Sequence, residues 1–288
     1  MNITIGCDPE VFVKNSTGRV ISAHNLIPGT KASPHAVDFG AVQVDGMALE
    51  FNIEPTSNLW DFSEKVFSVV KTLKTMIPPS YGLVVSPVAD FEKEYIDKQP
   101  LEARQLGCDP DFNAYTGGMP NEKPNADVNF RTASGHIHIG WTEDVDVTHP
   151  DHLEACMMVT KQLDIALGSL ESMWCPPNKR KELYGKLGTF RPKSYGVEYR
   201  VLSNAWLKSP RLARFVADAT LTAVRSLLNG NRWYENVKDD EYSMCNVGYK
   251  YMRPTLFTHF KRNDVLDAYD GAILGFRNEA PEQRTYLK

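Results

Sequence analysis

The sequence predicts an α+β fold, a curved and mainly antiparallel sheet with helices packed on its outer face. Three observations point to it. Segments of alternating apolar and polar residues recur along the chain, as in MALEFNI (47–53) and GHIHIGW (135–141), and this period of two belongs to strands with two unlike faces. The connections between several of them are of hairpin type, with Asp45-Gly46 between two apolar alternations. Two long stretches, 59–76 and 209–229, repeat apolar residues at helical spacing, and such one-sided helices need a layer to cover.

In chain order, residues 2–5 and 11–13 read as short strands flanking Gly6-Cys7-Asp8-Pro9-Glu10, and 18–22 (GRVIS) as a returning strand after the turn KNSTG. Residues 41–44 and 47–53 form the Asp-Gly hairpin. The first helix, 59–76, shows its stripe at Leu59, Phe62, Val66, Val69, Val70, Leu73 and Met76 and stops at Pro78-Pro79. A strand follows at 82–88. Residues 98–130 are rich in Pro, Asn, Asp and Gly and read as a long loop-rich lobe, a kind of segment that is often functional. Next come a strand at 135–141, a helix at 151–170 opened by His149-Pro150, a strand at 195–202 and a helix at 209–229 with Pro210 in its first turn. The C-terminal third is mixed, with helix around 262–269.

The 288 residues are 42% hydrophobic, enough for a sizeable core, and no Pro/Gly/Ser-rich linker divides them. The expectation is one domain over 1–288. A net charge of −4 argues against a general nucleic-acid binder. The five cysteines, at 7, 108, 156, 175 and 245, form no CxxC pair; neither a disulfide framework nor a zinc knuckle is expected, and a reducing cytoplasm suits them. MNITIGCDPE has no basic stretch and long apolar run of a signal peptide, and no stretch approaches the ~20 apolar residues of a membrane-spanning helix.

Four segments place charged or imidazole groups two residues apart on strands. They are Asp8 and Glu10 in GCDPE, Glu50 with Asn52 and Glu54 after Asp45 in VDGMALEFNIEP, His136 and His138 in SGHIHIG, and Glu198 and Arg200 in YGVEYRVL. Pro9 lacks an N–H, which puts its strand at an edge or a bulge. Each segment has a plain structural reading too: a surface turn for GCDPE and for Asp45, a wetted face for Glu54, a packed histidine pair, a cross-strand ion pair. Ser134-Gly135 lets the backbone approach a ligand closely. The densest basic run, Lys179, Arg180, Lys181, Lys186, Arg191 and Lys193, reads mostly as solvated, with Arg191 in a Gly/Pro loop that could reach a phosphate. Hard oxygen ligands with one or two histidines suit Mg²⁺ or Mn²⁺ better than zinc, and a metal of that kind beside arginines suits a nucleotide phosphate. GxxxxGK[ST] and GxGxxG are both absent.

In this order, the four segments resemble the glutamine synthetase and glutamate–cysteine ligase superfamily of carboxylate–amine ligases. The resemblance is nearest to its bacteriophage-encoded type 2 COOH–NH2 branch, through GCDPE, DGMALEFN, GHIHIG and the Gly188-Thr189-Phe190-Arg191-Pro192 … GVEYR stretch. It implies a glutamine synthetase-like catalytic sheet holding ATP and divalent ions, and a reaction in which ATP phosphorylates a carboxylate that an amine then attacks. It implies Asp8, His136 and Glu198 as ligands of a metal at the ATP phosphates, and Glu10 and Glu50 as ligands of a metal near the acceptor. His138, Arg191, Lys193 and Arg200 are expected on the nucleotide side, with Arg191, Arg200 and Glu50 as the catalytic set. Asp45 lies closer to Glu50 in sequence than the superfamily pattern has it. Asp8 in place of a glutamate, Pro9 and the short chain also depart from glutamine synthetase. The partners implied are small-molecule or peptide carboxylates and amines, in the host cytoplasm if the chain is phage-encoded. The second acidic copy, GCDPDFNA (107–114), reads as a turn with Asp109 and Asp111 entering the lobe; Asn113, Arg131, Asn52 and Ser134 are candidate substrate contacts. Two other readings stay open: a metal-dependent hydrolase using His136 and His138, and a catalytically silent binding protein on the ligase fold.

Overall fold

The structure, a computed structural model, describes residues 2–104, 111–124, 128–238 and 240–278. Fourteen strands and eight α-helices are found among them. One six-stranded sheet carries the strands β1 (Thr4–Cys7), β9 (Phe112–Asn113), β10 (Met119–Pro120), β12 (Ile137–Gly140), β13 (Thr189–Lys193) and β14 (Gly196–Tyr199), in the order β1-β12-β14-β13-β9-β10. The second holds β2 (Glu10–Lys14), β3 (Val20–Ile21), β4 (His35–Val37), β5 (Gly40–Asp45) and β6 (Ala48–Ile53) in the order β3-β2-β6-β5-β4, with β7 (Gly82–Val84) also paired to β2. A two-stranded ribbon pairs β8 (Val88–Asp90) with β11 (Phe130–Thr132). Every strand ladder is antiparallel, so the fold is α+β, as the hairpin signals predict.

The helices are α1 (Leu59–Met76), α2 (Lys93–Asp97), α3 (Leu101–Arg104), α4 (Pro150–Ala166), α5 (Arg180–Leu183), α6 (Pro210–Leu228), α7 (Glu241–His259) and α8 (Arg262–Asn278). In α1 the Asn58 side chain accepts from the Trp60 and Asp61 N–H groups, satisfying donors that a helix start leaves free. Its stripe of Phe62, Val66, Val69 and Leu73 is buried, each side chain contributing about 1.5–3 kcal/mol. α1 packs on β5 and β6, α4 packs on β13 and β14, and α6 bridges α1 and α4. One continuous core therefore backs both sheets, from Val11, Leu49 and Phe51 to Ile137, Ile139, Val197 and Tyr199. The other faces of the strands are left for polar residues.

Several boundaries differ from expectation. The helix expected at 151–170 ends at Ala166, and a 3₁₀ turn over Gly168–Met173 follows. That turn brings buried Glu171 to the Ser203 N–H and hydroxyl, both 2.7 Å from its Oε1. The lobe at 98–130 is less loop-like than its composition suggests: α3 lies in it, and Phe112–Asn113 joins the main sheet beside Thr189 and Phe190. α7 runs through Pro254, which conceals a long helix from a pattern search, and the helix expected at 262–269 extends to Asn278. The strand expected at 82–88 splits into β7 and β8. Cys7, Cys156, Cys175 and Cys245 are free and buried, and Cys108 lies outside the described residues. Among the described residues no helix is long and apolar enough to cross a membrane.

Candidate active site

Asp8 and Glu10 do not sit on one strand. The Asp8-Pro9 break ends β1 in the first sheet and starts β2 in the second. A proline suits this point because its missing N–H is not needed by either ladder. The Asp8 N–H faces the His136 carbonyl at 3.4 Å, and the Glu10 N–H donates to the Ser134 carbonyl at 2.9 Å. The crossing chain thus hands one carboxylate to each sheet, and both line a single cleft.

On the first sheet the register sets a row across neighbouring strands: Gly6 opposite His138, His138 opposite Glu198, and Glu198 opposite Arg191. Directly opposed residues lie within about 5.5 Å, so this row is a set of side-chain contacts. Glu198 is fully buried. Lys193 Nζ lies 2.8 Å and Arg191 Nη1 3.3 Å from its Oε2, while Arg200 binds its Oε1. Burial alone would raise the Glu198 carboxyl, but Arg200 foremost, then the two histidines, hold it well below the usual carboxylate range. Asp8 is likewise held low against its burial, by His138 and then His136. Its Oδ1 lies 3.1 Å from His138 Nε2 and 3.2 Å from His136 Nδ1. Burial and the Arg200 charge push His136 down to about 4. Burial, the largest single influence, pulls His138 down, but the Asp8 charge, the contact with Asp8 and the Glu198 charge together raise it.

The second sheet has its own row, Glu10 opposite Glu50 and Glu50 opposite Gln43. Like charges placed directly across a ladder repel. Glu50 accepts from Gln43 Nε2 at 2.9 Å and Glu10 from the Ser134 N–H at 2.6 Å, yet these donors do not balance the charge. Burial and then Asp45 push Glu10 up to about 8. Burial, Asp8, Asp45 and Glu10 push Glu50 well above the carboxylate range. Glu10, Asp45 and Glu50 each offer an oxygen within 4.8 Å of the others, as Asp8, His138 and Glu198 each offer a ligand atom. Asp45, which sequence spacing sets apart, belongs with Glu10 and Glu50.

These residues fit divalent ions. Asp8 Oδ1 and His138 Nε2 are buried and, despite their closeness, lack a hydrogen bond of acceptable geometry, as expected of two ligand atoms turned to a common third point. Magnesium with ligands at about 2.1 Å spaces its donors by roughly 3–4 Å, so each trio needs only a small contraction. His138 belongs to the first trio, and His136, the imidazole the sequence assigns there, stands against the same two acids, its Nδ1 3.2 Å from Asp8 Oδ1 and 3.4 Å from Glu198 Oε1. The residues fit anionic oxygens too. Arg131 Nε and Tyr184 Oη are buried without hydrogen-bond partners, and both side chains belong to the cleft wall. Unmatched donors of this kind call for acceptors from a ligand.

Other predicted residues fall elsewhere. Asn52 and Asn113 lie outside the cleft lining. Asn113 caps a 3₁₀ turn, its Oδ1 accepting from the Tyr115 N–H at 2.8 Å, so its side chain is committed to the fold. Glu54 is exposed and faces Lys65 at 3.6 Å. Arg131 and Ser134 do line the cleft, although two Arg131 nitrogens are engaged by the carbonyls of Val128, Phe130 and Arg104. Arg180, grouped by sequence with a solvated run, is 1% exposed and donates to the Val201 and Arg200 carbonyls and to Ser134 Oγ. Asp111 stands 3.5 Å from Arg200 Nε and accepts from Asn121 Nδ2 at 2.9 Å. It is tied to the site through Arg200 and is more than the turn into the lobe that the sequence suggests; Asp109 lies outside the described residues.

Residues 109–251 match the family described as Phage phiEco32-like COOH.NH2 ligase-type 2. The chain belongs to this family. The matched segment holds β12, β13 and β14 and with them His136, His138, Arg191, Lys193, Glu198 and Arg200; the acids of β1, β2, β5 and β6 precede it. Among solved structures, one similar to this chain is described as a bifunctional glutathione synthetase from Pasteurella multocida, at 10% identity and a TM-score of 0.43. The likeness covers 96% of this chain and 47% of that one, so the chain spans about half the length of that protein. No curated protein matches the sequence.

Proposed function

We propose that this member of the COOH–NH2 ligase family is an ATP- and Mg²⁺-dependent enzyme that joins a carboxylate to an amine through an acyl phosphate. The observation that carries the reading is the pairing of two ligand clusters about one cleft: Asp8 and His136 on its wall, with His138 and Glu198 behind them, amid Arg191, Lys193 and Arg200 on one side, and Glu10, Asp45 and Glu50 on the other. Phosphoryl transfer asks for positioning and charge neutralisation and needs no nucleophilic side chain.

Asp8, His138 and Glu198, with His136 beside them, would hold a divalent ion at the nucleotide phosphates; Glu10, Asp45 and Glu50 would hold one nearer the acceptor. When bound, such ions neutralise phosphate charge and polarise the oxygens involved. Arg191, Lys193 and Arg200 are drawn together by one buried carboxylate, which keeps three cations at the cleft without collapse onto separate partners. That arrangement meets the charge spread over a transferring phosphoryl group and over the acyl phosphate that follows. Asp111 and Glu198 fix the Arg200 guanidinium from two sides. The unmatched Arg131 and Tyr184 donors suit the oxygens of the carboxylate substrate, and Glu10 and Glu50, drawn toward protonation when alone, are the groups in the cleft able to take a proton from the attacking amine. Ala103 of α3 lines the cleft from the lobe, where covering the acyl phosphate would exclude water.

A hydrolase centred on a histidine-rich metal site would need further imidazole ligands near His136 and His138. His24, His35, His149, His152 and His259 do not line the cleft; His152 faces the Lys193 carbonyl at 2.9 Å and His259 faces Asp218 at 2.9 Å. The test is ADP release across a matrix of amino acids, carboxylates and amines, with and without Mg²⁺. The ligase reading expects release that requires Mg²⁺ and rises only when a carboxylate and an amine are both present. Absence of Mg²⁺-dependent nucleotide binding in calorimetry would refute it.

A further inference from the structure

An imidazole can serve as a metal ligand only through a nitrogen that carries no proton, and the partner of the other nitrogen decides which one that is. For His138 the two nitrogens have different surroundings. Nε2 faces Asp8 Oδ1 at 3.1 Å, buried and without a hydrogen bond. Nδ1 is in contact with the Tyr195 hydroxyl.

Tyr195 is not on a strand face. It is the second residue of the two-residue turn, Ser194-Tyr195, that joins β13 to β14. That turn is held by backbone bonds from a neighbouring segment: the Trp141 and Thr142 N–H groups donate to the Tyr195 carbonyl at 2.9 and 3.2 Å, and the Val145 N–H donates to the Ser194 carbonyl at 3.0 Å. Gly196, with φ +152°, lets the chain press against β12, since a Cβ there would stand 2.0 Å from the Ile139 carbonyl oxygen. The Tyr195 ring is thereby laid over the His138 ring, with centroids 6.0 Å apart and planes 26° apart. The fixed ring holds the hydroxyl oxygen against His138 Nδ1. Neither Tyr195 nor His138 lines the cleft wall, and the Tyr195 hydroxyl meets the site at His138 Nδ1.

We propose that Tyr195 is a positioning residue that selects the metal-binding tautomer of His138: its hydroxyl oxygen accepts a hydrogen bond from Nδ1–H, which leaves the Nε2 lone pair turned toward Asp8 and Glu198. The proposal rests on the reading of Asp8, His138 and Glu198 as a divalent-metal site. No bond other than hydrogen bonds changes.

The test is histidine NMR on ¹⁵N-labelled protein titrated with Mg²⁺ alone, the His138 signals being those lost in His138→Gln. In the natural protein His138 should shift on Mg²⁺ addition and settle as the Nδ1-protonated tautomer. In Tyr195→Phe, which keeps the ring and its stacking, about 10–100-fold more Mg²⁺ should be needed for the same shift, the usual effect of losing such an outer hydrogen bond. The tautomer should also become mixed. A role in packing alone would lower the melting temperature and leave the Mg²⁺ titration and the tautomer as they were, which overturns the proposal. So does an Nε2-protonated His138 in the Mg²⁺-loaded natural protein. A natural protein whose His138 ignores Mg²⁺ removes the metal reading itself and this proposal with it, whereas a natural protein that responds and a Tyr195→Phe variant that responds equally removes the proposal alone.

Discussion

Replacing Glu10 by Gln is expected to stabilise the metal-free protein while abolishing the gain that Mg²⁺ brings. Glu10 faces Glu50 across the ladder, and burial with Asp45 pushes its carboxyl up to about 8. Its folded-state value thus lies above its unfolded one of about 4.3. The stability it permits is complete below about pH 4 and is lost as pH rises toward 8. At pH 7 the ceiling is about 3.7 kcal/mol, from about 2.7 pH units at about 1.36 kcal/mol each. Glu10 is only half-buried, so water screens part of this and about 1–2 kcal/mol is expected. Glutamine keeps an oxygen for the Ser134 N–H, which Glu10 holds at 2.6 Å. Thermal unfolding in EDTA at pH 7 should therefore rise by about 3–5 °C in Glu10→Gln. In Mg²⁺ at about a hundred times its dissociation constant the natural protein should gain about 2.7 kcal/mol, and the order of the two proteins should reverse. A variant less stable than the natural protein in EDTA, or a natural protein whose stability is flat between pH 5 and 8, would refute the argument that these carboxylates repel one another when no cation is bound.

Glu198→Gln should lower the melting temperature by roughly 10 °C, because it leaves three cations without the buried carboxylate they share and breaking such a set costs about 3–5 kcal/mol; it should also abolish ADP release, and a variant with normal turnover would contradict the role given to this residue. Asp111→Asn should reduce kcat/KM by about 10-fold through a freer Arg200, with a change of no more than about 2 °C in melting temperature; unchanged steady-state kinetics would count against the clamp. Asp164, buried but bonded by the Tyr199 hydroxyl at 2.8 Å and the Gly188 N–H at 2.7 Å, is pushed by burial up to about 7. Its contribution to stability is complete below about pH 4 and is lost as pH rises to 7, so Asp164→Asn should flatten a denaturation series over that window, and an unchanged pH profile would remove this assignment.

The strand pairs were legible because a period of two is written directly in residues such as His136 and His138 or Glu198 and Arg200. Apolar Ile137, Val197 and Tyr199 fill the alternate positions and bury the other face. What the sequence leaves open is how strands meet. Nothing local says that Pro9 passes the chain from one sheet to the other, or that Asp45 at a hairpin turn comes within reach of Glu10. Both follow from register, which long-range pairing sets. Tyr195 and Asp111 escaped for the same reason: each lies in a turn or at a strand's edge, where periodicity carries no information about direction. Arg180 misled because a basic run is usually solvated; here its guanidinium replaces water with the carbonyls of Arg200 and Val201 and the Ser134 hydroxyl. Asn113 misled in the other direction, as polar loop residues satisfy backbone groups at least as often as they meet ligands.

The measurement that bears most directly on the account is the fate of oxygen-18 placed in the carboxylate of a substrate that supports ADP release. If the carboxylate attacks the terminal phosphoryl group and an amine then displaces phosphate, one labelled oxygen must leave with each phosphate formed. The account predicts one oxygen-18 per inorganic phosphate by mass spectrometry, dependent on Mg²⁺. Phosphate that carries no label from the carboxylate, and takes its new oxygen from water instead, would contradict it.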